Sequence, residues 1–173
     1  MDQISENPVT GERLRWHLRS CETGGRLARA EMWVRPGGGV FVEHLHPKSE
    51  ERFEVVRGRM ILELGHEARV LLGGERARVP CGSAHRWRNG GEEELHLYIE
   101  VHDPLGFDDM IDDAFAAARA GRTGRTGRLK LLPGAAFLRS HARAFRPTSP
   151  PVCVQRLIVP PLALAARLLG QVP

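Results

Sequence analysis

The feature that most constrains this chain is a succession of short apolar-alternating segments, each ended by glycine, that stops abruptly after residue 103. Leu14, Trp16 and Leu18 alternate with Arg15, His17 and Arg19. Side chains that alternate at period two mark a strand with one buried face. Further strand-like runs follow at 28–34, 40–45, 53–56, 60–64, 68–72 and 95–101. The breaks between them hold Gly24-Gly25, Pro36-Gly37-Gly38-Gly39, Gly58, Gly73-Gly74 and Asn89-Gly90-Gly91. Short strands at regular spacing with glycine turns predict an antiparallel sandwich or barrel. At Asp103-Pro104 the period changes. Phe107, Met110, Ile111, Ala114, Phe115 and Ala118 then recur at helical spacing, which predicts an amphipathic helix ending near Gly121. The expected division is a mainly β domain over 1–103 and a helical, basic extension over 104–173.

In the extension, Gly121 to Arg128 is a Gly-Arg-Thr near-repeat expected to be a flexible linker. A second helix is expected over 135–145. The apolar stretch 152–172 is expected in two short pieces, split by Pro160-Pro161 and too broken to span a membrane.

Charge divides the chain somewhat later, after the predicted helix. The chain of 173 residues carries a net charge of +4. Residues 1–118 hold 15 basic and 21 acidic side chains, whereas residues 119–173 hold 10 basic ones and no acid. The main domain is therefore acidic, which argues against nucleic acid as a partner. The glycine-arginine stretch has no interleaved aromatic residue to stack on bases. The first ten residues lack the basic start and apolar run of a signal peptide. Cys21, Cys81 and Cys153 are odd in number and form no Cys-x-x-Cys, so a reducing, cytoplasmic setting is expected. Cys81 is expected to be a small buried filler.

The chemistry concentrates in the histidines. His44 and His46 are separated by one residue, so on a strand both imidazoles share a face. Glu50 and Glu51 follow after Pro47. Pro80-Cys81-Gly82-Ser83-Ala84-His85 gives a tight turn and another histidine. Three imidazoles and one carboxylate suit a single divalent transition metal: iron, manganese, nickel, copper, cobalt or zinc.

With these residues in view, the sequence resembles the cupin superfamily. The first cupin motif falls on Gly38, His44, His46, Glu51 and Gly58, and the second on Gly74, Pro80, Gly82, His85 and Asn89. The resemblance covers about residues 30–103. It implies a small jelly-roll β-barrel with a metal in its mouth, held by His44, His46, Glu51 and His85. Asn7-Pro8-Val9-Thr10-Gly11-Glu12, together with the apolar C-terminal stretch, also resembles a bacterial subgroup of single-domain cupins with a helical extension.

Four protein ligands on an octahedral ion leave two positions open. The expectation is an oxygenase-type metalloenzyme acting on a small organic molecule. The alternatives are a metal-assisted isomerase, cyclase or decarboxylase, and a non-catalytic ligand-binding module, since fold alone does not choose among them. Alternation places Phe53 with Glu51 and Trp87 with His85 as expected pocket walls. His96 and Tyr98 share a face of the strand 95–101 and are further pocket candidates, against a water-facing alternative. A homodimer is expected. Leu162, Ala165, Ala166 and Leu169 form an apolar face in the tail. Packing of that tail on the barrel or a partner is preferred over peripheral membrane contact.

Overall fold

The computed structural model describes residues 4–171. Ten strands precede the first helix: β1 (Ser5–Glu6), β2 (Glu12–Leu18), β3 (Leu27–Val34), β4 (Gly39–Leu45), β5 (Glu50–Arg57), β6 (Arg59–Leu64), β7 (Glu67–Leu72), β8 (Arg76–Val79), β9 (His85–Asn89) and β10 (Leu95–His102). The extension adds α1 (Phe107–Arg119), α2 (Leu131–Ser140), β11 (Arg146–Pro147) and α3 (Val152–Leu168). All pairings are antiparallel. One sheet runs β1-β2-β3-β10-β5-β8 and the other β11-β4-β9-β6-β7. This is the expected mainly β, jelly-roll architecture with a helical C-terminal extension.

Alternation builds the core. On β10, Leu95, Leu97, Ile99 and Val101 are buried while His96, Tyr98, Glu100 and His102 are half-buried on the other face. Val55, Phe53, Met60, Leu62, Val79 and Trp87 join them from both sheets. Phe107, Met110 and Phe115 of α1 and Phe137 of α2 belong to the same cluster, so the helices extend the barrel core rather than forming one of their own. Apolar area removed from water is the main stabilising term in such a cluster.

Strands β8 and β9 are absent from the sequence-based expectation. The inward residues of β9 are His85, Trp87 and Asn89, two of them polar, so its alternation does not read as apolar. Asn89 is nevertheless 1% exposed. Its amide donates to the Val34 and Glu93 carbonyls and its oxygen accepts from Gly91 N–H, which closes the β9–β10 turn. Gly39 pairs with Arg88 where β4 runs beside β9. It has φ 140°, and a Cβ there would lie 2.5 Å from the Arg88 Cα.

Three expectations for the extension are corrected. The 121–128 stretch is no open tether: Gly124 N–H donates to Arg128 O, Gly127 N–H to Gly124 O and Lys130 N–H to Arg122 O, closing a loop. The second helix spans Leu131–Ser140, not 135–145, because Pro133 is tolerated in a first turn. The tail is one helix. Pro160 and Pro161 lie inside α3, and the carbonyls they leave unpaired belong to the exposed Arg156 and Leu157, where water can take the missing bond. No helix among the described residues is long and apolar enough to cross a membrane. Cys21, Cys81 and Cys153 are all exposed free thiols, so Cys81 is not the buried filler expected.

Two glutamates set opposite pH trends. Glu12 is 3% exposed, and burial pushes its carboxyl up to about 7, opposed by the Thr10 hydroxyl it accepts from and by Arg35. Glu31 is also buried, but Arg15, His17 and His96 outweigh that burial and hold it at about 2. Folding therefore favours protonated Glu12, whose stabilising effect is complete below an unfolded value of about 4.5 and is lost as pH rises through 7. The loss is on the order of 3 kcal/mol. Glu31 contributes in the reverse sense, losing its stabilisation as pH falls from about 4.5 toward 2. Urea midpoints of the wild type minus those of Glu12→Gln are expected to fall between pH 5 and 8. A constant difference would refute the Glu12 assignment.

Candidate metal centre

The connection from β4 to β5 builds most of the site. His44 lies on β4 and His46 one residue beyond its end, both on the interior face. Between Val40↔Trp87 and His44↔His85, three residues of β4 face a single residue of β9. This bulge re-aims the end of β4, as bulges beside functional sites do, and sets His44 directly across from His85. Glu51 comes from β5 in the other sheet. Glu50 turns outward to Arg52 and Arg78.

These four side chains are 1–4% exposed. One donor atom from each lies within 4.8 Å of the other three. The His44 and His85 ring centroids are 4.3 Å apart. His85 Nε2 lies 2.8 Å from Glu51 Oε2, and His46 Nε2 lies 3.5 Å from the same oxygen.

The outward nitrogens are all committed. His44 Nδ1 donates to Val42 O at 2.8 Å, His46 Nδ1 to Ala144 O at 2.6 Å, and His85 Nδ1 to Ser83 O at 3.1 Å. A carbonyl only accepts, so each Nδ1 carries the proton and Nε2 is left as the inward donor atom. Such carbonyl contacts are the usual way to fix the tautomer of a ligating histidine. Burial, reinforced by His85 and His46, holds His44 at about 3, so it is a neutral imidazole at pH 7 and able to ligate a metal. Burial lowers His46 too, but the Glu51 carboxylate outweighs it and the net shift is upward. Burial would raise Glu51, yet His46 and His85 hold it well below the usual carboxylate range. His46 Nε2 is buried and makes no well-formed hydrogen bond, its ion-pair partner Glu51 Oε2 lying 3.5 Å away. A poorly satisfied buried polar atom is costly, and a cation among these four donors would satisfy it. The donor set fits a first-row divalent metal.

The sequence gives no sign of what closes this site. Phe145 stacks on His44 with centroids 4.8 Å apart, and Phe107 lies edge-on to His46 at 5.4 Å. β11 pairs with β4, placing Arg146 against Leu45 and Pro147 against His44. The segment after α2 is thus stapled along the strand that bears His44 and leads into His46. It carries no motif, and only its fold reveals its place. Two surface clefts of about 240 and 320 Å³ include none of the four ligands.

The other expected pocket residues divide. Phe53 and Trp87 are buried, with centroids 5.9 Å apart, and face the same interior as the ligands. His96 and Tyr98 do not line the site. They lie on the outer face of the six-stranded sheet, where His96 contacts Glu31 and stacks on Trp33, and Tyr98 lies under the Arg29 guanidinium. Their odd-even partners Leu95, Leu97 and Ile99 take the interior. His96 and Tyr98 are both half-buried on that outer face.

Residues 30–102 match the Cupin domain family. This segment is a cupin domain. The chain is 30% identical over 99 residues to the polyketide synthase CurC of Streptomyces cyaneus, covering 57% of this chain and 64% of that protein. The chain thus spans less than two thirds of the length of that relative. The cupin domain of Schizosaccharomyces pombe Cnp3 superposes with a TM-score of 0.51 at 13% identity, covering 69% of this chain and 74% of that one. That likeness shows a shared fold. A sugar phosphate isomerase of the cupin superfamily from Silicibacter pomeroyi has a TM-score of 0.48 at 16% identity, over 54% of this chain and 60% of that one. Ala144 and Phe145 lie beyond the cupin match, so the extension supplies part of the candidate centre's surroundings.

Proposed function

We propose that this cupin is a metal-dependent enzyme of the oxygenase type, acting on a small enolic or phenolic molecule at a centre of His44, His46, Glu51 and His85. The observation that carries this reading is the convergence of four buried donor atoms within 4.8 Å of one another, with each histidine's Nδ1 proton fixed by a carbonyl and its Nε2 turned inward. A divalent ion held there would act as a Lewis acid and, if redox-active, would also bring oxygen chemistry within reach. Glu51 supplies the one negative charge of the donor set. Phe107 and Phe145 present aromatic surface toward the ligands and exclude water, which strengthens electrostatic interactions inside. A flat, largely apolar substrate suits such walls.

A metal-assisted cyclase, isomerase or decarboxylase is the second reading, favoured by the 30% identity to a polyketide synthase protein. Iron-loaded protein offered phenolic and enolic polyketides, with and without oxygen, separates the two. Oxygen uptake coupled to product supports the first reading, and turnover under argon supports the second. Tight binding without turnover in either condition would overturn both and leave a binding module.

Access to the centre makes a separate prediction. Phe145 covers His44, so Phe145→Ala is expected to speed removal of bound metal by a chelator about tenfold. The packing lost with the ring is comparable to a 1.4 kcal/mol change, which is tenfold in a rate. An unchanged removal rate would show that Phe145 does not guard the site.

A further inference from the structure

Helix α3 is apolar on two opposite sides. Val159, Leu162, Ala163 and Ala166 turn inward, and the helix packs along α2. On the other side Val154, Leu157, Ile158, Pro161, Leu164 and Leu168 share one face as a row, at steps of three and four residues apart from the adjacent pair Leu157 and Ile158. Leu157 is 76% exposed, Leu164 59% and Leu168 79%. A helix that is apolar all round is normally covered all round, and nothing in the described structure covers this row.

Charge identifies the cover. Residues 119–173 hold ten basic side chains and no carboxylate. Arg156 and Arg167 are exposed at the flank of the row, and neither pairs with a carboxylate among the described residues. Arg125, Arg128, Lys130, Arg139 and Arg143 are also exposed. A second copy placed symmetrically on the row would bring two such tails together with no acid between them. The row lies on one helix of 17 residues packed on α2 and presents no groove of its own. A bilayer interface needs no groove. It accepts apolar side chains at its acyl boundary and basic ones at its headgroups.

We propose that the outer face of α3 docks on an anionic lipid surface, lying in the interface rather than crossing it. This reverses the preference drawn from sequence, because the helix uses only one of its two apolar sides for packing. Docking would hold the cupin at a membrane without engaging the metal ligands.

The test is co-sedimentation of the full chain with vesicles of phosphatidylcholine alone or mixed with phosphatidylglycerol. Partitioning to the anionic vesicles is expected to be about tenfold stronger or more. It should weaken with salt, fall in Arg156→Ala/Arg167→Ala, and be lost in Leu157→Glu/Leu168→Glu. These positions are exposed, and an unchanged circular dichroism spectrum confirms each fold. The proposal is overturned by no pelleting with either vesicle, or by equal binding to both. It is also overturned if the chain is a dimer in solution that Leu157→Glu dissociates, which would assign the row to a second copy.

Discussion

Wild-type protein dialysed against a first-row divalent metal is expected to retain about one ion per chain, and His85→Ala close to none. His85 is the most central of the donors, 2.8 Å from Glu51 Oε2 and 4.3 Å in ring centroid from His44. Its loss removes one of four donors and leaves Glu51 buried with a single imidazole partner. Binding to the folded state alone also stabilises it. Metal at a hundredfold excess over its dissociation constant adds about 2.7 kcal/mol, equivalent to a rise in Tm of roughly 5–10 °C for a chain of this length. The wild type should show that rise on metal addition and lose it with chelator, whereas His85→Ala should show neither. Elemental analysis beside thermal unfolding decides. Equal metal in both proteins, or a Tm indifferent to metal, would remove the basis of the proposed function.

The second large effect separates the core from the outer face. Phe53→Ala is expected to cost about 3–5 kcal/mol, the range for emptying a buried aromatic site. That lowers Tm by on the order of 10 °C. Phe53 is 1% exposed and packs edge-on against Trp87 beneath the ligands. Tyr98→Ala, on the outer face, should cost under about 1 kcal/mol, the scale of its stacking with Arg29. It should leave metal content unchanged. Chemical denaturation of both variants measures the contrast. Metal loss in Tyr98→Ala would put that residue back in the site.

Much of the site was legible because its signal is spacing. A histidine pair at alternate positions, a glutamate after a turn, and a third histidine after Pro80 and Gly82 stand at intervals that strand geometry converts into one shared interior. Glu51 could be preferred to Glu50 from the step to Gly58, and the outward ion pairs of Glu50 agree with that preference. The face of β10 was less legible. Alternation separates His96 and Tyr98 from Leu97 and Ile99, but which set faces inward depends on the sheet opposite. Pro160-Pro161 misled for a related reason. Local propensity opposes a helix there, but packing along α2 and solvent access to the freed carbonyls outweigh it.

By itself the sequence determined the strand-rich domain, the amphipathic α1, the four donor residues and the basic, acid-free tail. Each is written in local period, motif spacing or composition. Only the tertiary structure decided that Ala144 orients His46, that Phe107 and Phe145 close the centre, and that α3 leaves one apolar side bare. Those contacts join residues from about sixty to about a hundred positions apart, His46 and Ala144 being 98 apart. No local periodicity encodes such a distance. It is set by where the helices settle once the two sheets have buried their inner faces against each other.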